Sequence, residues 1–226
     1  MDHTFHSDTL HEVLSRLETD QEQGLSLQEG EKRLAEHGEN RLEEAKQAGM
    51  LRRVLGQLKD PMVLVLLGAA GVSLAASRGR DWLDGAIILV IVVVNGVLSI
   101  TQEDQAHRAL EELRRMSAPM ARVLREGREE RIPAAEVVPG DILHLEAGDQ
   151  VPADGRLLSC AGLQADESAM TGESLPVDKQ ADRVLPPETA VGDRSNLLLA
   201  GSLITRGRGA AVVTATGMDT QMGRIA

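Results

Sequence analysis

The 226-residue chain has almost no aromatic side chains: one Phe, one Trp and no Tyr. Phe5 and Trp82 cannot between them build the stacking platforms that hold nucleic-acid bases, or an aromatic cage. A basic stripe for nucleic-acid phosphates is missing too, because 24 Lys and Arg stand against 35 Asp and Glu for a formal net charge of -11. The single cysteine, Cys160, cannot close an internal disulfide and fits a reducing compartment. No Gly-x-x-x-x-Gly-Lys-Ser/Thr loop occurs, which closes one common route to ATP. His3, His6 and His11 lack the cysteine or carboxylate pattern that would complete a metal site and read as a solvated amino-terminal arm.

What is present begins with two uncharged apolar runs, residues 62–77 and 86–100. With Leu58 ahead of the first and Trp82 and Leu83 ahead of the second, each approaches the roughly 20 residues that cross about 30 Å of hydrocarbon. A helix apolar on every side needs lipid or a very large core to cover it. The first run follows a long charged region, which is unlike a secretory signal. Only residues 78–81 and their neighbours separate the runs, so a tight membrane hairpin is expected. Lys46, Arg52, Arg53, Lys59, Arg108, Arg114 and Arg115 flank its outer ends, against Arg78 and Arg80 in the loop. That bias puts both long polar regions in the cytoplasm, and the expected location is a bacterial-type cell membrane, as a multi-pass protein. Gly68, Gly71, Ala75 and Gly96 permit close helix approach, and Asn95 calls for an interhelical hydrogen bond.

The polar regions differ in period. Leu10, Val13, Leu14 and Leu17 recur at helical spacing, and Ser26 with Glu29 has capping-box spacing ahead of a second helix that Gly38 would stop. Residues 103–117 continue the second membrane helix as a stalk, ended by Pro119. Beyond it the pattern turns to strands at Ala121-Arg-Val-Leu-Arg125, Arg131-Ile132, Ile142-Leu-His-Leu-Glu146, Arg156-Leu-Leu158, Asn196-Leu-Leu-Leu199 and Gly209-Ala-Ala-Val-Val-Thr214. Turn residues separate them, at Glu126-Gly127, Pro139-Gly-Asp141, Gly148-Asp149, Pro152-Ala-Asp-Gly155 and Thr216-Gly217. The expected fold is mixed: a helical amino-terminal segment over 1–57, a two-helix transmembrane hairpin over 58–102, a stalk over 103–117 and a mostly β domain over 118–226.

Within that β region lies Asp166-Glu-Ser-Ala-Met-Thr-Gly-Glu-Ser174. Gly172 lets backbone approach an anion, Thr171 and Ser174 supply hydroxyls, and Glu173 supplies a carboxylate that can orient water and take its proton. A surface turn before Pro176 would explain four such residues equally well. The neighbouring stretches decide between the two: Leu58-Lys-Asp-Pro-Met-Val63, Ala118-Pro119, Val138-Pro-Gly-Asp-Ile142, Pro152-Ala-Asp-Gly155, Gly201-Ser202 with Gly207, Thr216-Gly217, Thr220 and Gly223-Arg-Ile225. In this order, over nearly the whole chain, they resemble the amino-terminal part of a P-type cation-transporting ATPase, most closely the calcium-pump branch.

The resemblance implies an amino-terminal helical segment, the first two transmembrane helices and an actuator domain with a distorted, jelly-roll-like β fold. It also implies site roles. Glu173 would activate the water that hydrolyses an aspartyl phosphate, Thr171 and Gly172 would shape the loop around the phosphoryl group, and Ser174 would brace it. The partners implied are the lipid bilayer, a transported cation and the remaining domains of a full-length pump, with no nucleic acid. ATP and Mg2+ are implied for the complete pump and no cofactor for this stretch. The family's phosphorylation motif, Asp-Lys-Thr-Gly, is absent. Asp178-Lys179-Gln180-Ala181 shares its first two residues only, in the wrong domain. The chain is therefore expected to be a fragment ending before the third transmembrane helix and inactive alone. The alternative is a naturally short, membrane-anchored regulatory or binding module. Lys59 stands where some calcium pumps carry an acidic residue, and Asp60 beside it suits a gate or a helix cap equally.

Overall fold

The structure, a computed structural model, describes residues 4–42, 61–76, 82–116, 119–173 and 175–225. Ser174, Lys59, Asp60, loop residues 78–81 and the flanking Lys46, Arg52 and Arg53 lie outside the described residues. The described residues of 1–43 and 118–226 form one compact unit, and those of 44–117 a second.

The first unit is built on seven strands: β1 (Met120–Arg125), β2 (Arg128–Pro133), β3 (Ile142–Glu146), β4 (Asp154–Asp166), β5 (Val177–Asp178), β6 (Leu197–Leu198) and β7 (Leu203–Ala215). They make one antiparallel sheet in the order β2-β1-β3-β7-β4-β5, with β6 on β4. Glu126 (φ 51°) and Gly127 (φ 71°) close the β1–β2 hairpin. Two successive positive φ angles match the right-handed twist of the strands on either side. The 13-residue partners β4 and β7 slip register at four points, which distorts the sheet. Gly162 and Gly207 sit at one slip, both with positive φ, and a Cβ at Gly207 would overlap the Gly162 carbonyl. The expected mixed, mostly β architecture is the observed one. β4 is far longer than the three residues 156–158 marked by sequence, because pairing with β7 extends it through residues with no alternating pattern.

Successive side chains of a strand point to opposite faces, and here both faces are covered. Leu143, Leu157, Ala211 and Val213 enter the main core with Val123, Leu198 and Ile204. Their neighbours Ile142, Leu158 and Val212 enter a second core on the other side. Helix α1 (Leu10–Arg16) supplies that second core, with Val13 fully buried and Leu10, Leu14, Leu17 and Phe5 packed around it. The apolar face legible in the sequence is thus the lid of the sheet. Thr9 caps α1 reciprocally: its hydroxyl accepts the Glu12 N–H at 3.4 Å and its own N–H donates to the Glu12 carboxylate at 2.8 Å.

Helix α2 (Leu27–His37) starts at Ser26 as the sequence indicates, with the Ser26 hydroxyl accepting the Glu29 N–H at 3.2 Å. The return half of the box is replaced, since the Glu29 carboxylate accepts from Arg33 Nε at 2.8 Å. Arg33 is buried and needs that charge. Its Nη1 donates to Leu17 O at 2.8 Å and Pro139 O at 2.9 Å, tying α1, α2 and the 139–141 turn together. Asn40 donates to Ala134 O and Pro152 O, both at 2.9 Å, and accepts the Gly217 N–H at 2.8 Å. Gly24 (φ 67°) lies so close to β1 that a Cβ would overlap the Leu124 carbonyl oxygen. These contacts join the amino-terminal helices to the β domain.

The arm ahead of α1 is not solvated as expected. His6 is buried, its Nε2 lies 3.1 Å from Pro187 O, and its carbonyl accepts from Asn196 Nδ2 at 2.8 Å and Leu185 N at 2.9 Å. Burial, and then the charge of Arg194, push the imidazole below its ordinary 6.5. Below that pH the unfolded chain takes up the proton first, so this unit loses stability as pH falls from 6.5 towards the folded value. In His6→Gln, the fall in thermal midpoint between about pH 7 and 5 should be smaller than in the parent chain. An equal fall in both would remove His6 as its source.

The second unit holds two apolar helices packed on each other, Pro61–Ala76 and Trp82–Met116. The second runs 35 residues without a break between the expected membrane segment and the stalk, a length of about 50 Å. Among the described residues only this helix, over Ala86–Leu110, is long and apolar enough to cross a membrane. The first is described over 16 residues, its expected flanks lying outside. Val65, Val72, Val90, Val93 and Val97 are exposed, as is Asn95.

Candidate functional site

Between β4 and β5 the chain makes a short excursion that contains the Thr171-Gly-Glu173 segment. Asp166, the last residue of β4, accepts the Ser168 N–H at 2.9 Å. The Ser168 hydroxyl and N–H hold its carboxyl below the usual range. One helical turn follows, Ser168–Thr171, in which Met170 N and Thr171 N both donate to Glu167 O at 2.9 Å. Gly172 ends the turn in the left-handed region (φ 75°, ψ -1°), its N–H donating to Ser168 O at 2.9 Å. Nothing lies within 4 Å of where a Gly172 Cβ would stand, so this position needs glycine for its dihedral angle and not for room.

The Thr171 hydroxyl serves twice. It donates to Glu167 O at 3.1 Å and accepts the Glu173 N–H at 3.2 Å. The Thr171 methyl meets the turn Val191–Asp193, where a Cβ on Gly192 would stand 3.0 Å from it. Glu173 therefore has a fixed backbone and an exposed side chain. An exposed carboxylate on an anchored peptide can enter a partner's site, orient a water and take its proton. The structure thus brings together Thr171, Gly172 and Glu173; Ser174 is outside the described residues.

Beneath the loop, Glu167 and Lys179 are both buried and form an ion pair. Burial pushes the Glu167 carboxyl up and the Lys179 ammonium down, while their mutual attraction opposes both. Lys179 N–H donates to Leu163 O at 2.9 Å, and Asp178 accepts from Gln164 Nε2 at 2.9 Å. The Asp178-Lys179 dipeptide is therefore occupied in holding β5 to β4.

The remaining motif stretches build the scaffold. Asp141 is fully buried and takes both arms of Arg125, at 2.8 Å (Nε) and 2.7 Å (Nη2), plus the Val138 N–H at 2.9 Å. That bond raises the Arg125 pKa further. Asp154 accepts the N–H groups of Ala200 at 2.8 Å and Gln221 at 2.7 Å, so one carboxylate ties together three separate stretches of chain. Burial raises its pKa against those two bonds. Arg156 is fully buried among carbonyl oxygens, donating to Ala181 at 2.9 Å, Leu157 at 3.0 Å, Asn196 at 3.3 Å and Arg183 at 2.8 Å. Burial lowers its pKa to about 10. It fastens the 181–196 segment, against which Thr171 rests.

Glu167, Lys179, Arg156 and Gly192 received no role from sequence. A charged letter in a polar stretch reads as solvent-facing, and only the Asp166-Glu167-Ser168 run offered a cue. Among the described residues no group of three or more His, Cys, Asp or Glu side chains is placed to hold a metal ion.

Comparison with known proteins adds two family models. One, described as cation transporter/ATPase, N-terminus, matches residues 5–73, and one described as P-type ATPase actuator domain matches residues 115–226. The chain is 42% identical over 222 residues to a calcium-transporting ATPase of Bacillus subtilis, covering 98% of this chain and 25% of the relative. It is 43% identical over 215 residues to a protein of Mycobacterium tuberculosis named probable cation-transporting ATPase F, covering 95% and 23%. It is 39% identical over 205 residues to a sodium/potassium exporting P-type ATPase of Schizosaccharomyces pombe, covering 90% and 20%. The chain thus spans about a quarter of the length of the curated relatives it matches.

Proposed function

Since this chain belongs to the P-type cation-transporting ATPases, we propose that it works as the actuator of a longer pump, with Glu173 driving hydrolysis of an aspartyl phosphate carried on another domain. As water oxygen bonds to phosphorus, the Glu173 carboxylate takes the water's proton and the bond from phosphorus to the aspartate oxygen breaks. Inorganic phosphate and a free aspartate result. Thr171 holds the Glu173 peptide, and Gly172 supplies the turn that projects it. The observation that carries this reading is the exposed Glu173 side chain on a backbone bonded to Thr171. ATP and Mg2+ serve the phosphorylation step elsewhere in the pump. The test is the decay of the phosphoenzyme in the full-length pump carrying Glu173→Gln: a persistent intermediate supports the role, and decay at the parent rate overturns it.

Calcium is the cation we assign, because relatives at 42% identity from Bacillus subtilis and Listeria monocytogenes are named calcium-transporting. The helix Trp82–Met116, apolar at one end and charged at the other, is suited to pass actuator movement into the bilayer. In this reading both polar regions are cytoplasmic and the 78–81 loop is outside. A cysteine placed beside Arg80 should react with an impermeant thiol reagent added to intact cells, while Cys160 stays protected. Equal labelling of both would overturn the topology.

A further inference from the structure

We infer that the buried Glu167–Lys179 ion pair is a positioning device for Glu173, setting where its carboxylate stands relative to the phosphorylated aspartate. The inference rests on the function proposed above and adds two residues to it. A continuous chain of bonds links the pair to the loop. Lys179 is held to the sheet by its N–H on Leu163 O at 2.9 Å, directly after β5. Its ammonium reaches the carboxylate of Glu167, the first residue beyond β4. The Glu167 carbonyl receives the N–H groups of Met170 and Thr171, both at 2.9 Å, and the Thr171 hydroxyl at 3.1 Å. That hydroxyl in turn accepts the Glu173 N–H at 3.2 Å.

The pair is better suited to positioning than to stabilising. Taking both charges out of water costs more than an apolar pair of similar volume, so stability alone would favour hydrocarbon at this spot. An ion pair, unlike hydrocarbon, has a narrow range of acceptable geometries. Among the described residues neither the carboxylate oxygens of Glu167 nor the ammonium of Lys179 has another hydrogen-bond partner. Each group therefore holds the other in one place. The loop above is a single turn with Gly172 at its end and an exposed tip, and the turn Val191–Asp193 meets it at the Thr171 methyl. Fixing the base of so short a turn fixes its tip.

The experiment uses the full-length pump and compares Lys179→Met, Glu167→Gln and the neutral double variant with the parent. The double variant leaves no buried charge unpaired and guards against single variants that fail to fold. Phosphoenzyme formation from ATP should proceed at the parent rate, while its decay slows by roughly ten- to a hundredfold, the scale of an ångström-level misplacement. In a Glu173→Gln background the double variant should slow decay no further, because the pair acts through Glu173. If the double variant forms phosphoenzyme and loses it at the parent rate, or if its slowing multiplies that of Glu173→Gln, the positioning role is wrong. If Glu173→Gln itself leaves decay unchanged, the failure belongs to the proposed function and not to the pair.

Discussion

Glu173→Gln in the full-length pump is expected to lengthen the life of the phosphoenzyme by about 10²- to 10⁴-fold, the contribution of a positioned general base. Glutamine keeps the size of the side chain and its hydrogen-bonding reach but cannot take a proton from water. The Thr171 hydroxyl and the Gly172 turn bond to the backbone and not to the Glu173 side chain, so the loop should keep its shape. Phosphorylation from ATP, which makes no use of this carboxylate, should be unchanged. The measurement is loss of acid-stable label after a chase with unlabelled ATP. Glu173→Asp shortens the reach by one methylene and should fall between parent and Gln. A Gln variant with parent decay would leave the loop as a surface turn.

The second large effect concerns the scaffold. Asp141→Ala should destabilise the unit by about 3–5 kcal/mol, because it leaves the Arg125 guanidinium buried without its counter-charge. The carboxylate it removes is fully buried and also accepts the Val138 N–H at 2.9 Å, so a backbone donor is stranded with the cation. Arg125 cannot turn towards solvent: its guanidinium packs against α2, where a Cβ on Gly30 would stand 3.0 Å from it. Thermal unfolding of the chain in detergent, followed by circular dichroism, should show a midpoint lower by roughly 6–20 °C. A midpoint within about 2 °C of the parent would mean that the pair is dispensable. The double variant Arg125→Met with Asp141→Ala should recover part of the loss, since it removes the unpaired charge.

The two variants fall on different kinds of residue. Glu173 is exposed and held only through its backbone, so its loss should affect chemistry and leave the fold. Asp141 is buried and held by three hydrogen bonds, so its loss should affect the fold first. Both lie in stretches that carried the family resemblance. A motif can therefore mark either a reacting group or a structural one, and burial separates them.

By itself the sequence determined what depends on local period and on uncovered apolar length. The apolar face of α1, the cap at Ser26, the Glu126-Gly127 hairpin and the apolar run within Trp82–Met116 are all legible there, because short-range sterics and hydrophobic spacing set them. The Thr171-Gly-Glu173 segment was legible too, since its residue types state their chemistry. Tertiary structure alone decided which charges are inside. His6 reads as part of a solvated arm, and Arg156, Glu167 and Lys179 carry no local mark of burial; all four are buried, for partners 12 or more residues distant supply the opposite charge or the carbonyl oxygens each requires. The length of β4 and the seating of the amino-terminal helices on the sheet were likewise settled by contacts far apart in the chain, which local pattern does not encode.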